Sequence, residues 1–364
     1  MMLETNPARI EVGVFDHLDD SGQELGHQYS ARLEIAAACD RSGFRGYHVA
    51  EHHGTPHGLA PAPNLLLSAI AQRTSTLRLG PMVMLLNLYH PLRAFEEICM
   101  LDQLSGGRLD LGIGRGATAF ELGFFGVDAA VAQERYQEAA DIVLQAMTAR
   151  RLDFHGRHFE LDNIPITLSP VQRPHPPLWL GSTNPGTASW AAEHGVNIVA
   201  IGPASKIRAI TDTYRSRQAV VTPPGETKPM LGMVRHVVVA ESDREALELA
   251  GPAYTRWSNA LTYLYRDRGA PVPPMLDVPF LDALDSGVCI AGSASTVRDS
   301  LLKQIHNAGV NYVMFLLAFG DLSLSASLRT IAATAAEIVP AIREMERSGR
   351  FVAGWTGERR SRLG

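Results

Sequence analysis

The sequence predicts one large α/β domain over residues 1–348, a closed (β/α)8 TIM barrel with insertions, followed by a tail at 349–364. Three observations carry that expectation. Short apolar runs alternate with helical stretches until eight strands are placed, the pattern of parallel strands joined by crossover helices. The length, 364 residues, exceeds the usual single domain but suits this architecture. Ionisable residues and glycines follow the C-terminal ends of several apolar runs, and that end of a barrel is where chemistry is done. A doubly wound open sheet is the alternative.

Each unit is legible in order. Glu11 to Asp16 reads as the first strand, and Tyr29, Leu33, Ala36, Ala37 and Asp40 recur at helical spacing before Gly43. Gly46 to Ala50 is the second strand and Pro63 to Gln72 its helix. Leu77 to Leu85 is long enough for a buried third strand, with Pro91 to Leu104 as its helix. Leu109 to Gly114 is the fourth, followed by a long loop and a helix from Gln133 to Thr148. Phe154 to Phe159 resembles a hairpin insertion, after which Pro177 to Gly181, Val196 to Ile201 and Leu231 to Ala240 supply strands five to seven. The eighth is Asn311 to Leu317, after a helix from Ala294 to His306 ending at Gly309. A final helix carries Leu328, Ile331, Ala335, Ile338, Ile342 and Met345 on one face, with Pro340 marking a kink or a restart. Tyr263 to Ser286 holds four prolines and weak periodicity, so it reads as a lid-like excursion or a plain surface insertion. The 349–364 tail is basic and expected to fray.

Composition excludes several classes. Lys+Arg 33 against Asp+Glu 38 leaves a net charge of -5, with no basic field for nucleic acid. Cys39, Cys99 and Cys289 are scattered without metal or redox spacing, which fits a reducing compartment. The first residues lack a signal-peptide pattern and no apolar run is long enough to span a membrane, so a cytoplasmic protein is expected.

The chemistry-bearing segments sit at predicted strand ends. Glu51-His52-His53, with His57 just beyond, follows strand two. Imidazole and carboxylate are common metal ligands, but the ends of strands four and five carry Gly114, Arg115 and Ser182, so the further ligands a barrel metal centre needs are missing and no metal is expected. His52 is better suited to general acid or base work near neutral pH. In Gly112-Ile113-Gly114-Arg115-Gly116 the glycines clear space for a flat ligand or for close packing, and Arg115 can meet an anion; the spacing is not the dinucleotide fingerprint. Asn184-Pro185 starts a helix, and with Gly181, Ser182, Thr183 and Thr187 around it the terminus reads as a phosphate cradle or as an ordinary capped helix. Tyr89, Phe120, Phe124, Phe125 and His57 are candidate pocket walls or ordinary packing.

These segments together resemble the bacterial luciferase-like flavin-dependent monooxygenase superfamily, in order over about residues 10 to 345. The resemblance rests on Glu51-His52-His53, Met82-Val83, His90-Pro91, Leu101-Asp102-Gln103-Leu104-Ser105-Gly106-Gly107-Arg108-Leu109 leading into the Gly112 to Gly116 run, and Trp190-Ala191-Ala192. It implies a (β/α)8 barrel with flavin at its C-terminal face, a non-prolyl cis peptide at Met82-Val83 against the flavin ring, and Arg115, Thr183, Asn184 and Thr187 around the flavin phosphate. His52 matches the family's catalytic histidine, and Glu51 and His53 would support its orientation. Gly114 stands where the light-emitting members carry a cysteine, so light emission is not implied. The activity implied is a two-component monooxygenase: a separate flavin reductase delivers reduced FMN, and oxygen is used to oxidise a small, largely apolar organic substrate. Relatives that move hydride with a deazaflavin, and relatives that only bind flavin, are the alternatives. A homodimer is expected on the same ground.

Overall fold

The computed structural model describes residues 9–116, 118–182, 184–221 and 229–348; the predicted tail at 349–364 and the phosphate candidate Thr183 lie outside the described residues. The strands are β1 (Glu11–Asp16), β2 (Gly46–Val49), β3 (Arg78–Pro81), β4 (Met84–Leu85), β5 (Leu111–Gly114), β6 (Arg151–His155), β7 (Glu160–Pro165), β8 (Leu178–Gly181), β9 (Asn197–Ala200), β10 (Leu231–Val239), β11 (Cys289–Gly292) and β12 (Tyr312–Leu316). Parallel pairing runs in the order β3-β2-β1-β12-β10-β9-β8-β5-β4. The predicted third strand is β3 and β4 in succession, interrupted at the cis Met82–Val83 peptide. β3 pairs with β2 while β4 pairs with β5, and a parallel bridge between Leu79 and Leu109 brings the two ends of the sheet together. The eight predicted strands are thus the staves of the barrel.

Crossover helices surround it: α1 (Leu25–Arg41), α2 (Pro63–Ala71), α3 (Pro91–Leu104), α4 (Ala119–Phe124), α5 (Ala132–Ala146), α6 (Pro185–Glu193), α7 (Ala204–Val221), α8 (Asp243–Leu261), α9 (Tyr263–Asp267), α10 (Phe280–Asp285), α11 (Ala294–Ala308), α12 (Leu324–Ala333) and α13 (Val339–Arg347). Their ends follow local chemistry. Ser293 caps α11 by accepting from the Thr296 amide, and Gly309 stops it in the left-handed conformation at φ 63°. A π-helical turn, Thr334–Ile338, joins α12 to α13 just before Pro340, whose missing N–H interrupts the ladder there.

Several elements depart from the sequence expectation. β11 pairs with the last residues of β10 and was not foreseen; it follows directly on the proline-rich insertion, outside the alternation of strand and helix. The loop expected before α5 contains α4, and residues 243–261, left without an element, form α8 around an internal Pro252. In α1 the buried face includes Gln28 and Arg32 beside Ile35, Ala36 and Cys39, while Tyr29 and Leu33 are only half-buried. Arg32 turns inward because its guanidinium meets Asp16 at 2.9 Å and the Ala318 carbonyl at 2.7 Å. The 263–286 insertion is an ordered excursion carrying α9 and α10.

The two ends of the barrel differ. At the N-terminal end Arg45 and Arg78 converge on the fully buried Asp110, whose carboxyl, despite burial, is held far below the ordinary range by the two guanidiniums. His48, Tyr312 and Trp179 pack above this triad, with 3.0 Å between His48 Nε2 and the Tyr312 hydroxyl. That end is closed, and the chemistry-bearing residues emerge at the other. No helix among the described residues is long and apolar enough to cross a membrane.

Candidate active site

The C-terminal strand ends surround one cavity of about 860 Å³. Its wall draws on His17 after β1, Glu51 and His52 after β2, Met82, Val83 and Leu85 from the broken third stave, Gly114 to Gly116 after β5, Glu121 on α4, Gln133, Tyr136 and Gln137 on α5, Gly181 and Ser182 after β8, Asn184, Thr187 and Trp190 on or capping α6, and Val199, Ile201 and Val234.

The Glu51-His52-His53 segment divides its labour. Glu51 is buried and accepts from the Leu85 amide at 3.0 Å, while His53 Nε2 lies 3.0 Å from its other oxygen. That carboxylate therefore ties β2 to β4 beside the Met82–Val83 bulge. His52 instead directs Nδ1 at the Glu121 carboxylate, 3.1 Å away. The same carboxylate accepts from the His53 amide at 3.0 Å and the Thr118 hydroxyl at 2.7 Å. Burial raises the Glu121 pKa, but these bonds, led by His52, outweigh it and hold the group below the ordinary glutamate value. An ionised carboxylate only accepts, so His52 Nδ1 carries a proton and Nε2 is the nitrogen left to act.

Glu121 is a site residue the sequence reading missed. Its signal was available: Thr118 accepts from the Glu121 amide at 3.2 Å, the first half of a Thr-x-x-Glu capping box. The glutamate takes the hydroxyl of its cap rather than the cap's backbone N–H, and its other oxygen crosses to His52.

Three further histidines gather here, His17 in the wall and His57 and His236 behind it. The His57 ring lies 4.1 Å from His17 and 4.9 Å from His52, and both its nitrogens are buried without a protein partner. His236 is similarly enclosed by Trp257, Tyr254 and Phe319. Burial lowers the His17, His57 and His236 pKa values, His236 to about 3, so all three are neutral near pH 7. His17, unremarked in the sequence, obeys the rule that singled out Glu51: a titratable group just after a strand.

At the opposite end stands the anion cradle. Asn184 Oδ1 accepts from the Thr187 amide at 3.0 Å, capping α6, and the Ser182 hydroxyl donates to the Asn184 carbonyl at 3.2 Å. Thr187 is half-buried and Arg115 exposed on this side, and Arg115 has no ion-pair partner among the described residues. Helix amides, hydroxyls and a guanidinium fit a phosphate. The nearby glycines answer to packing: a Cβ on Gly112 would sit 2.4 Å from the Pro81 carbonyl oxygen, and one on Gly114 would sit 2.3 Å from Val83 Cγ2. Gly116, at φ 98°, needs glycine for its backbone.

The remaining candidates lie around the cavity without forming its wall. Tyr89 stands near Glu51, and burial together with that carboxylate pushes its phenol pKa up. Phe120 packs edge-on against Tyr265 of α9 at 5.3 Å, Phe124 lies under Arg268, and Phe125 meets the His53 ring at 4.7 Å. The 263–286 insertion thus rests on α4, the helix that carries Glu121.

Comparison with known proteins bears on the cavity's chemistry. A family model described as luciferase-like monooxygenase matches residues 10–312. A Sinorhizobium fredii protein, y4wF, is 50% identical over 333 residues, covering 92% of this chain and 97% of its own. The oxygenase component of a flavin-dependent trigonelline monooxygenase from Acinetobacter baylyi is 28% identical over 245 residues, covering 65% of this chain and 67% of its own. Among solved structures, the oxygenating constituent of 3,6-diketocamphane monooxygenase from Pseudomonas putida, in complex with FMN, superposes with TM-score 0.78 at 21% identity, over 91% of this chain and 98% of its own. An F420-dependent secondary alcohol dehydrogenase shares the fold with TM-score 0.71 at 18% identity, over 92% of this chain and 99% of its own. Matched by the family model over residues 10–312, the chain belongs to the luciferase-like monooxygenase family.

Proposed function

We propose that the protein is the oxygenase of a two-component system, taking reduced FMN from a separate flavin reductase and using oxygen to oxidise a small, largely apolar organic substrate. One observation carries this reading: a single cavity joins the anion cradle to the His52–Glu121 pair across an apolar wall of Met82, Val83, Leu85, Ile113, Leu180, Val199 and Val234. Its size suits a cofactor with a small substrate beside it. Bound reduced FMN supplies the electrons for oxygen chemistry. The chain does the rest. Arg115, Ser182, Asn184 and Thr187, with Thr183 beside them in sequence, hold the phosphate, and Met82, Val83 and Gly114 face the ring. His52 moves the proton, with Glu121 stabilising its cationic form. The 263–286 excursion, seated on α4, acts as a lid that keeps water out, and two copies of this one-domain chain form a homodimer.

Competitive titration of FMN against a deazaflavin tests the cofactor, since both carry a phosphate and a tricyclic ring. FMN is expected to win by at least tenfold; selective binding of the deazaflavin would turn the reading to hydride transfer, the chemistry of a dehydrogenase that shares the fold. Flavin storage without turnover is disfavoured by the His52–Glu121 pair, which binding alone does not need. His52→Ala is therefore expected to lower turnover about a hundredfold or more while flavin affinity stays within twofold.

A further inference from the structure

His17 follows β1 directly and lines the cavity beside His52. Its surroundings settle which nitrogen carries its proton. The Trp257 indole N–H, which can only donate, lies 3.4 Å from His17 Nδ1, so Nδ1 accepts. Burial, then the neighbouring His52 and His236, keeps the ring neutral. A neutral ring that accepts through Nδ1 is protonated at Nε2, which has no protein partner among the described residues.

His52 is held in the complementary sense. Glu121 takes its Nδ1–H, so Nε2 is the nitrogen that can present a lone pair. The two rings line the same cavity with centroids 5.8 Å apart, one keeping a donor and the other an acceptor free of protein partners. A ring nitrogen from each of His17, His52 and His57 lies within 4.8 Å of one from each of the others, a span that a single oxygen bridges with two hydrogen bonds. An ether or carbonyl oxygen accepts only. A hydroxyl accepts and donates at once.

We propose that His17 and His52 form an oxygen-binding subsite for a substrate hydroxyl of the phenol or enol class, His17 Nε2–H donating to the oxygen and His52 Nε2 receiving its proton. This rests on the cavity being the substrate site of a flavin-dependent oxygenase. In the step, the substrate O–H bond breaks and a His52 N–H bond forms. The imidazolium stays against Glu121, and the oxyanion keeps its hydrogen bond from His17. The proton moves between groups in contact, so the net charge of the cluster is unchanged. The electron pair left on oxygen delocalises into a phenol or enol and enriches the carbon to be oxidised; a saturated alcohol gains nothing from it. The same rings make a poor metal centre. His17 spends one nitrogen on Trp257 and holds a proton on the other, leaving too few free lone pairs.

The test is titration of the FMN-loaded protein with 4-nitrophenol and with its methyl ether, 4-nitroanisole. The phenol is expected to bind about tenfold tighter, the worth of one buried hydrogen bond, and to show its phenolate band at a pH where the free probe is protonated. His52→Gln should keep binding and lose the band. His17→Phe should weaken both probes but 4-nitrophenol the more, because a hydrogen bond to an oxyanion is roughly twice as strong as one to an ether oxygen, so the preference should fall. Trp257→Phe frees the tautomer from outside the cavity wall, so it should lower the preference too and serves if His17→Phe fails to fold. Equal affinity for both probes, a preference that survives both the His17 and Trp257 variants, or tight cobalt(II) binding lost with His17→Phe would overturn the proposal. Failure of FMN to bind, read separately by fluorescence quenching, would sink the functional reading; the FMN-free protein would still report on this subsite.

Discussion

Glu121→Gln separates the charge of the residue beside His52 from its shape. The amide keeps an oxygen for the His52 Nδ1–H and the His53 amide, and its NH2 can donate to Thr118, whose hydroxyl turns to accept. What disappears is the negative charge facing His52. At the 3.1 Å separation seen here, Coulomb attraction at an effective dielectric of 20 sets a ceiling of about 5 kcal/mol. His52 keeps 23% side-chain exposure, so water screening reduces that to about 2 kcal/mol. Loss of this term from a step in which His52 becomes cationic slows turnover about thirtyfold. The assay is steady-state turnover with saturating reduced FMN and oxygen, alongside a thermal melt and an FMN titration. The variant should unfold within about 2 °C of the parent, as expected for a change under 1 kcal/mol, and bind FMN equally well. Turnover within threefold of the parent would refute a proton-handling role for the pair. Equal losses of stability and turnover would show Glu121 to be only a structural tie.

Other outcomes follow from the same geometry. FMN should bind about a hundredfold tighter than riboflavin, and Arg115→Ala should remove about tenfold of that difference without moving riboflavin; equal binding of the two flavins, by fluorescence quenching, would dismiss the phosphate cradle. Asp40 tests the pH dependence of stability. Partial burial raises its pKa, but the Thr76 hydroxyl and the amides of Ser75, Thr76 and Leu77 outweigh this and bring it to about 2. With a folded pKa below the unfolded one, its contribution is present above about pH 4 and lost as pH falls towards 2. Asp40→Asn should therefore cost about 1 kcal/mol at pH 7, after allowance for solvent screening, and progressively less in urea melts below pH 4; a constant difference across that range would refute the assignment.

Much of the barrel was readable because its signals are local. Each stave is a short apolar run bounded by polar residues or glycine, and Glu51-His52-His53 stood out because three ionisable groups ended such a run. The elements that were not read lacked such a signal. α4 has six residues, less than two helical turns, and β11 sits directly after the proline-rich insertion, outside the strand–helix alternation. Gly80-Pro81, a breaker dipeptide just before Met82–Val83, was the available mark of the break, and 77–85 was read through it as one strand. The site's pairings are tertiary. His52 finds Glu121 at a separation of 69 residues and His17 finds Trp257 at 240, distances over which only the closed barrel brings side chains together. The Thr118-x-x-Glu121 pattern announced a helix start but could not announce that its carboxylate would serve a histidine on another strand.

Mixing the protein and reduced FMN, prepared without air, with isotopically labelled oxygen addresses the central claim most directly. The cavity, its anion cradle and the His52–Glu121 pair are expected to yield a transient absorbing species distinct from both reduced and oxidised FMN, and one labelled oxygen atom in the oxidised substrate. Reoxidation of FMN at the rate of the free flavin, with no transient and no label in any product, would contradict it.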